Sequence, residues 1–308
     1  MKIHRIIFMG SPEIASEYLQ ILVQNNLNVI SVYTQPPGPK GRGMTIQNSP
    51  VHDEALKQDI PVYHPKNFNN QKNVEIFKNL NPDLVIVMAY GILLPNMILN
   101  YPKFGCINIH VSLLPRWRGA APVEHALLNG DKETGVTIFK LVNKLDAGPI
   151  ISQASISIDE NFNKEKLFNK LNDMGKQLII NTLPDYFANN ISLQEQSVDK
   201  VTYASKITSN ITKINFYENV TNVFNQVQAF SPKPGAWFFF QNERIKIISC
   251  KKLFNDSKPS SIINESFHIG CKNGTIVPLI IQREGKKSME IKDFLRGFQF
   301  SVGQKVNA

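Results

Sequence analysis

The side chains of Asn108 and His110 are the strongest candidates for chemistry in this sequence of 308 residues. Residues 106–111 read Cys-Ile-Asn-Ile-His-Val, which alternates as a β-strand does, and side chains two positions apart on a strand share one face. An imidazole can take or give a proton at neutral pH, and a carboxamide can donate a hydrogen bond to an oxygen that gains negative charge. The pair therefore suits attack on a carbonyl group.

The residues that follow this strand allow a ligand to come close to the backbone. Residues 112–115 form a sharp Ser-Leu-Leu-Pro exit, and residues 119–122 read Gly-Ala-Ala-Pro. Further on, Asp146 stands in a Leu-Asp-Ala-Gly-Pro loop, where an aspartate is more often a turn former than a catalyst. Asp146 belongs to the site only if this loop folds back over His110.

The elements that must position these residues alternate along the first half of the chain. Strands are predicted at residues 3–9, 29–33, 84–89 and 106–111, and helices at 13–24 and 71–80. Such alternation predicts an α/β fold with an open, mainly parallel, Rossmann-like sheet that has helices on both faces. Ligands of these sheets lie beyond the carboxyl ends of the strands, where Gly10, Tyr90 and Ser112 are expected.

The loop after the first strand disfavours a nicotinamide oxidoreductase. The dinucleotide fingerprint requires Gly-x-Gly-x-x-Gly after the first strand and an acid after the second. This chain has Gly-Ser-Pro-Glu-Ile-Ala at residues 10–15, and Tyr33-Thr34 follows the second predicted strand. A dinucleotide-binding function is therefore not expected.

The last third of the chain has a different pattern and a different charge. Residues 217–230 have helical spacing, and short β-like runs follow at 237–240, 245–248 and 275–281. Residues 201–308 hold 15 Lys and Arg against 7 Asp and Glu, which is +8 of the net charge of +9. Several short strands predict a small barrel. Its charge suits a phosphate backbone, although a solvated lysine-rich face explains the same excess.

Composition predicts a globular protein of two domains. We expect a catalytic domain at residues 1–187, a polar linker at 188–205 and a basic domain at 206–308. The three cysteines include no Cys-x-x-Cys pair, so neither a zinc site nor a redox motif is expected, and a reducing cytoplasm fits best. No apolar run approaches the ~20 residues of a membrane span. Nothing demands a protein partner, and we expect a monomer.

Several motifs resemble those of the folate-dependent formyltransferase family, and within it the enzymes that act on methionyl-tRNA. Asn108, His110 and Asp146, with residues 112–115 and 118–122 around them, are similar to the signature of this family. The resemblance runs along nearly the whole chain. Further matching segments are residues 6–12, 33–36, 41–43, 87–91, 230–237 and 294–297.

This resemblance implies a formyltransferase fold followed by an OB-like β-barrel that contacts tRNA. The implied activity moves the formyl group of 10-formyltetrahydrofolate to the free amino group of initiator methionyl-tRNA, which gives N-formylmethionyl-tRNA for translation initiation. No metal is expected. Asn108 would donate to the oxyanion, His110 would polarise the formyl oxygen or relay a proton, and Asp146 would orient His110 and an ordered water.

Binding residues also follow from the resemblance. The folate-contacting residues so implied are Ser112, Leu113, Leu114, Pro115, Met88, Ala89 and Tyr90. Simple packing at a strand end explains Met88 and Tyr90 equally well.

Contacts with tRNA are implied for Lys40 and Arg42, in a Pro/Gly-rich loop, and for Lys206. Residues 44–46 of that loop are Met-Thr-Ile, where relatives often carry lysines, and this departure weakens the affinity for tRNA expected of the loop.

Three other interpretations stay open. A formyltransferase acting on a nucleotide-linked amino sugar would share the sheet, Asn108, His110 and Asp146, and a related second domain. A purine-pathway formyltransferase would resemble only the first ~200 residues and leave the terminal domain unexplained. A noncatalytic RNA-binding protein could keep the fold, although retention of all three polar residues argues against it.

Overall fold

The computed structural model describes residues 3–41 and 43–307, with the side chain of Lys40 outside the described part. Its strands are β1 (Ile6–Gly10), β2 (Val29–Tyr33), β3 (Gly38–Lys40), β4 (Thr45–Gln47), β5 (Val62–Tyr63), β6 (Leu84–Met88), β7 (Cys106–His110), β8 (Arg118–Gly119), β9 (Glu133–Lys140), β10 (Ile150–Ser157), β11 (Tyr203–Ala204), β12 (Ala236–Phe240), β13 (Glu243–Leu253), β14 (Ile269–Cys271), β15 (Gly274–Arg283) and β16 (Ser288–Glu290). Its α-helices are α1 (Glu13–Gln24), α2 (Pro50–Lys57), α3 (Gln71–Asn79), α4 (Asn96–Leu99), α5 (Pro122–Leu128), α6 (Lys164–Phe187), α7 (Ser209–Thr212), α8 (Val220–Phe230) and α9 (Ile291–Gly297). Across the described ranges, no helix has the length and apolar character to cross a bilayer.

The described residues form two compact units. Unit 1 contains the residues up to Arg118, Gly135–Ser155 and Leu171–Thr202. Unit 2 contains Gly119–Thr134, Ile156–Lys170 and the residues from Tyr203 onward. The predicted division into residues 1–187, 188–205 and 206–308 stays a prediction.

The sheet of unit 1 has the strand order β10-β9-β7-β6-β1-β2-β5. Strand β1 pairs in parallel with β2 and β6, β2 with β5, and β6 with β7, whereas β9 runs antiparallel to β7. Strands β1 and β6 are buried at every residue, as expected for inner strands of a sheet covered on both faces. The predicted mainly parallel, Rossmann-like sheet is confirmed.

Helix α1 shows how the sequence specifies these elements. Tyr18, Leu19 and Leu22 recur at helical spacing and are fully buried, so one face of α1 packs on the protein interior. Glu13 lies in the first turn, where its negative charge interacts favourably with the helix dipole. The bounds predicted for α1 and β2 agree with the structure residue by residue.

Unit 2 contains an antiparallel sheet in the order β12-β13-β15-β14, with β16 pairing with β15. Alternate residues of β12, Phe238 and Phe240, are buried. Phe238 packs edge-on against Phe216 at 5.3 Å, and Phe240 packs against Phe267 at 5.5 Å. These antiparallel strands agree with the predicted small OB-like barrel.

The three cysteines, Cys106, Cys250 and Cys271, are free and buried. Burial raises the pKa of all three thiols, and for Cys106 and Cys271 to about 12. At pH 8, a thiol with such a pKa is ionised in about one molecule in 10,000, and the thiolate is the reactive form. We therefore expect no thiol of the folded protein to react with Ellman's reagent at pH 8, and all three to react in guanidinium chloride. Rapid reaction of one thiol in the folded protein would contradict its burial.

Candidate active site

Strand β7 presents Asn108 and His110 on one face, as its alternation predicts. Their neighbours Ile107 and Ile109 alternate with them and are buried. In the antiparallel register with β9, Asn108 lies opposite Phe139 and His110 lies opposite Thr137. Because β6 and β9 hold β7 on both sides, the positions of the two polar side chains are fixed by the sheet.

The imidazole of His110 is held between a carbonyl group and a carboxylate. Its Nε2 lies 2.8 Å from the carbonyl oxygen of Trp117, and since a carbonyl only accepts, Nε2 carries a proton. Its Nδ1 lies 3.8 Å from Oδ2 of Asp146, which is too far for a direct hydrogen bond. His110 is only 7% exposed. The gap beside Nδ1 suits a bridging water or a substrate atom.

The loop that carries Asp146 folds back over His110, which meets the condition set by the sequence. Asp146 is 8% exposed and has a φ of +46°, in the left-handed region that few residues other than glycine adopt. Two residues on, a Cβ at Gly148 would lie 1.7 Å from the carbonyl oxygen of Lys140. The loop therefore lies directly against the end of β9, and only glycine fits at position 148.

The carboxamide of Asn108 is available for a ligand. Its Oδ1 is buried and has no hydrogen-bond partner within the described ranges. Burying an amide without hydrogen bonds is unfavourable, and the two ends of the group can exchange by rotation. A substrate that hydrogen-bonds to Asn108 would remove this penalty.

Thr137 of β9 forms hydrogen bonds with the backbone of the turn that follows β7. Oγ1 of Thr137 donates to the carbonyl oxygen of Ser112 at 2.6 Å and accepts from the backbone N–H of Leu114 at 3.1 Å. Ser112 and Leu114 are buried, whereas Leu113 and Pro115 are half-buried. Of the four predicted folate-contacting residues in this turn, Leu113 and Pro115 present the accessible surface.

The second segment predicted to contact folate, residues 88–90, begins at the last residue of β6, which is next to β7 in the sheet. Met88 and Tyr90 are buried, and the Tyr90 ring belongs to the hydrophobic core. The carbonyl oxygen of Tyr90 accepts hydrogen bonds from Ser11 Oγ and Gln35 Nε2, each at 3.3 Å. Ala89 is exposed and has a φ of +50°. The side chains of Met88 and Tyr90 thus pack in the core, and Ala89 is the accessible residue.

The residues predicted to bind tRNA are Lys40, Arg42 and Lys206. Arg42 lies outside the described residues, and so does the side chain of Lys40. The Pro/Gly-rich loop forms a hairpin of β3 and β4, and Met44 and Ile46 on it are exposed. Lys206 is exposed in unit 2.

Sequence reasoning missed two residues that hold the site. Trp117, with a φ of +63°, supplies the carbonyl oxygen that His110 contacts. The backbone N–H of Trp117 donates to Thr202 Oγ1 at 2.9 Å. Gln196 contacts the Asp146 loop from the segment that was expected to be a linker. Trp117 stands in the Arg-Trp-Arg sequence of residues 116–118, next to the motif residues, and could have been considered. Gln196 belongs to no recognisable motif.

One cavity of unit 1 lies beside the turn that follows β7. A cavity of about 620 Å³ lies beside residues 113–116, but its lining includes none of Asn108, His110 and Asp146. No group of three or more His, Cys, Asp or Glu side chains in the described part is placed to hold a metal ion.

Comparison with known proteins gives the family. The model of the formyl transferase family matches residues 3–183, and that of the formyl transferase C-terminal domain matches residues 206–299. A methionyl-tRNA formyltransferase of Wolbachia pipientis subsp. Culex pipiens is 42% identical over 304 residues, which cover 98% of this chain and 99% of that protein. One of Ehrlichia ruminantium strain Gardel is 42% identical over 300 residues, which cover 96% and 97%. The chain belongs to the methionyl-tRNA formyltransferase family.

Solved structures share the fold of this methionyl-tRNA formyltransferase family member. An N-formyltransferase from Helicobacter canadensis, solved with folinic acid and dTDP-3-aminofucose, matches with a TM-score of 0.65 and 22% identity. The match covers 92% of this chain and 100% of that one. The family and the formyltransferase fold predicted from the sequence motifs are confirmed.

Proposed function

We propose that this protein transfers the formyl group of 10-formyltetrahydrofolate to the amino group of initiator methionyl-tRNA. The product is N-formylmethionyl-tRNA, which serves translation initiation. The observation that carries the proposal is the arrangement of Asn108, His110 and Asp146, in which the imidazole lies 3.8 Å from the carboxylate. Identity of 42% over nearly the full length of curated methionyl-tRNA formyltransferases supports the same acceptor.

The reaction requires charge stabilisation and one proton transfer. The methionyl amine attacks the formyl carbon, so that a carbon–nitrogen bond forms and the carbonyl oxygen becomes an oxyanion. Collapse of this tetrahedral species breaks the bond between the formyl carbon and N10 of the folate. The amine loses a proton and N10 gains one, which leaves tetrahydrofolate.

Each of the three side chains takes part in the reaction in this proposal. Asn108 turns its amide N–H toward the oxyanion, an orientation that rotation of the carboxamide allows because no described residue bonds to its Oδ1. His110 polarises the formyl oxygen or relays the proton from the amine. Asp146 orients His110 and holds a water that lies beside Oδ2 and Nδ1, two atoms 3.8 Å apart, and bridges them.

The formyl donor lies along the carboxyl edge of the sheet in this proposal. Leu113 and Pro115 supply apolar contacts, and the accessible backbone at Ala89 supplies polar ones. Main-chain groups between apolar walls suit a flat heterocycle with polar edges. The buried residues Ser112 and Leu114, like Met88 and Tyr90, support these contacts from beneath.

A surface of unit 2 supports a polynucleotide acceptor. We name Lys213, Trp237, Phe239, Arg244 and Lys246 the basic face. In the register of β12 and β13, Trp237 lies opposite Lys246 and Phe239 opposite Arg244, so the four side chains share one side of the sheet. The Arg244 guanidinium carbon lies 4.0 Å from the centre of the Trp237 ring, and Lys213 Nζ lies 5.9 Å from it.

The basic face carries three positively charged side chains, and no described carboxylate forms an ion pair with them. Within the described ranges, Lys213, Arg244 and Lys246 form no ion pair. Burial, and then the like charge of Arg244, lowers the pKa of Lys246. A phosphate backbone would relieve this repulsion, whereas a nucleotide-linked sugar is expected in an enclosed pocket. The basic face therefore favours tRNA, and we propose that Lys40, Arg42 and Lys206 add further contacts.

Substitution Arg244→Gln should weaken tRNA binding without changing the chemistry. We expect the KM for methionyl-tRNA to rise roughly 5- to 10-fold, kcat to stay unchanged, and the slope of log KM against log salt to fall by about 1. Lys292→Gln is the matched control, since Lys292 is exposed and already paired with Glu290 at 2.8 Å. An unchanged KM and salt slope in Arg244→Gln would remove the basic face from the tRNA site.

The proposal includes the compartment, the oligomeric state and the domains of the protein. Free, buried cysteines support a reducing cytoplasm. We also propose that the protein acts as a monomer and that residues 1–187 and 206–308 form its catalytic and tRNA-binding domains. The matches of the two family models to residues 3–183 and 206–299 support this division.

The acceptor is tested by offering two substrates in parallel. Purified protein with 10-formyltetrahydrofolate receives methionyl initiator tRNA in one reaction and a nucleotide-linked amino sugar in the other. We expect formylation of the tRNA alone. Formylation of the sugar alone would reassign the acceptor but keep the chemistry, and no transfer to either would support a noncatalytic RNA-binding protein.

A further inference from the structure

A buried amide, Gln196, connects a buried arginine to the Asp146 loop. Gln196 is 8% exposed and Arg118 is 4% exposed. Nε and Nη2 of Arg118 donate to Oε1 of Gln196 at 3.0 and 2.7 Å. A buried guanidinium requires such acceptors, because burying its charge without hydrogen bonds is strongly unfavourable.

The other end of the same amide holds the loop. Nε2 of Gln196 donates to the carbonyl oxygens of Asp146 and Gly148, both at 2.8 Å. The orientation of the amide follows from its partners, since Arg118 can only donate and the two carbonyl groups can only accept. The donors and acceptors of all four hydrogen bonds therefore match.

The Asp146 loop requires the hydrogen bonds from Gln196 because the backbone conformation of Asp146 is energetically unfavourable. Asp146 has a φ of +46°, a conformation that persists in non-glycine residues only where the surroundings impose it. The Asp146 carboxylate projects from this backbone to within 3.8 Å of His110 Nδ1. A shift of the backbone would therefore move the carboxylate relative to the imidazole.

We propose that Gln196, oriented by Arg118, is a positioning residue for formyl transfer. It acts through the backbone of Asp146 and not on the substrates themselves. This inference rests on the function proposed above. It assigns a role in the reaction to a residue of the segment 188–205, which sequence analysis treated as a linker.

Substitution Gln196→Glu removes the hydrogen-bond donors of the amide and keeps its acceptor. Glutamate keeps the shape and the acceptor for Arg118, but it loses both N–H donors and turns an oxygen toward two carbonyl oxygens. We expect kcat to fall roughly 10- to 100-fold, the size of effect known for small displacements in active sites. The KM values for both substrates should stay within about twofold, since in this proposal Gln196 acts only through Asp146.

The matched control is Gln194→Glu, the same change two residues away. The Gln194 side chain is exposed, and among the described residues its hydrogen bonds are those of its backbone with Ile150. We expect full activity in this variant. Wild-type protein is assayed alongside, and its failure to formylate methionyl-tRNA would overturn the proposed function, whereas failure of the Gln196 effect in an active wild type would overturn only this inference.

A double-substitution cycle with Asp146→Ala distinguishes positioning from general support of the fold. If Gln196 acts through the carboxylate, Gln196→Glu should reduce kcat no further, within about twofold, once Asp146 is alanine. A full kcat in Gln196→Glu, or an equal loss in both backgrounds, would overturn the inference. Should Gln196→Glu not fold, as judged by circular dichroism, Gln196→Met carries the same test, since it lacks donors and introduces no charge.

Discussion

Replacing His110 with alanine should slow single-turnover formyl transfer by roughly 100- to 10,000-fold, the range for loss of a general acid or base. The Trp117 carbonyl oxygen holds the imidazole at 2.8 Å from Nε2, and Nδ1 faces the Asp146 carboxylate at 3.8 Å, so the substitution removes a ring that both partners orient. Rapid quench with enzyme in excess over methionyl-tRNA measures the chemical step without product release. Binding of the tRNA should stay within a few-fold of the wild type.

The control for this variant is His268→Ala. His268 lies in unit 2, is half-buried, and pairs through Nδ1 with the Asn264 amide at 3.0 Å. The His268→Ala variant carries the same chemical change in the other unit, and we expect its transfer rate to match that of the wild type. Near-normal transfer by a folded His110→Ala would exclude the imidazole from the reaction.

Replacing Asn108 with alanine should reduce kcat roughly 100- to 1,000-fold, the effect of removing one oxyanion donor. The amide of Asn108 lies on the same face of β7 as His110, and its Oδ1 has no partner among the described residues. Substitution Asn108→Asp should be at least as damaging, because it keeps the shape but places a negative charge where negative charge develops. Steady-state kinetics at saturating levels of both substrates measures the effect.

An exposed asparagine provides the comparison. Asn79 lies at the end of α3 and is exposed, so Asn79→Ala should leave kcat unchanged. If Asn108→Ala raises the KM for the folate but keeps kcat, Asn108 binds the donor without stabilising the oxyanion, and its proposed role is wrong.

Much of the fold could be predicted because its elements carry strong hydrophobic patterns. Residues 13–24 and 29–33 have clear helical and apolar runs, and the structure gives α1 and β2 the same bounds. The hairpin of β3 and β4 could not be predicted, since strands of three residues are too short to show a period. Strand β13 continues through Lys251 and Lys252, which hydrophobicity alone excludes from a strand.

The site was only partly predictable for a related reason. Asn108 and His110 share a face through an alternation that is local in sequence, so the strand pattern placed them together. Asp146 depends on a loop whose path is set by packing against β9, and the sequence could give only the condition for its role. Gln196 is bonded to Arg118 from 78 residues away, within a polar segment without a motif, and only tertiary structure shows that contact.

The central claim is tested most directly by locating the transferred label. The protein is mixed with methionyl initiator tRNA and 10-formyltetrahydrofolate that carries a labelled formyl carbon, and the aminoacyl ester is then hydrolysed. We expect the label in N-formylmethionine, one per tRNA, and its loss when His110→Ala replaces the wild type. Wild-type protein that leaves the methionine unlabelled, or label that persists at the wild-type rate in His110→Ala, would contradict the assignment of formyl transfer to Asn108, His110 and Asp146.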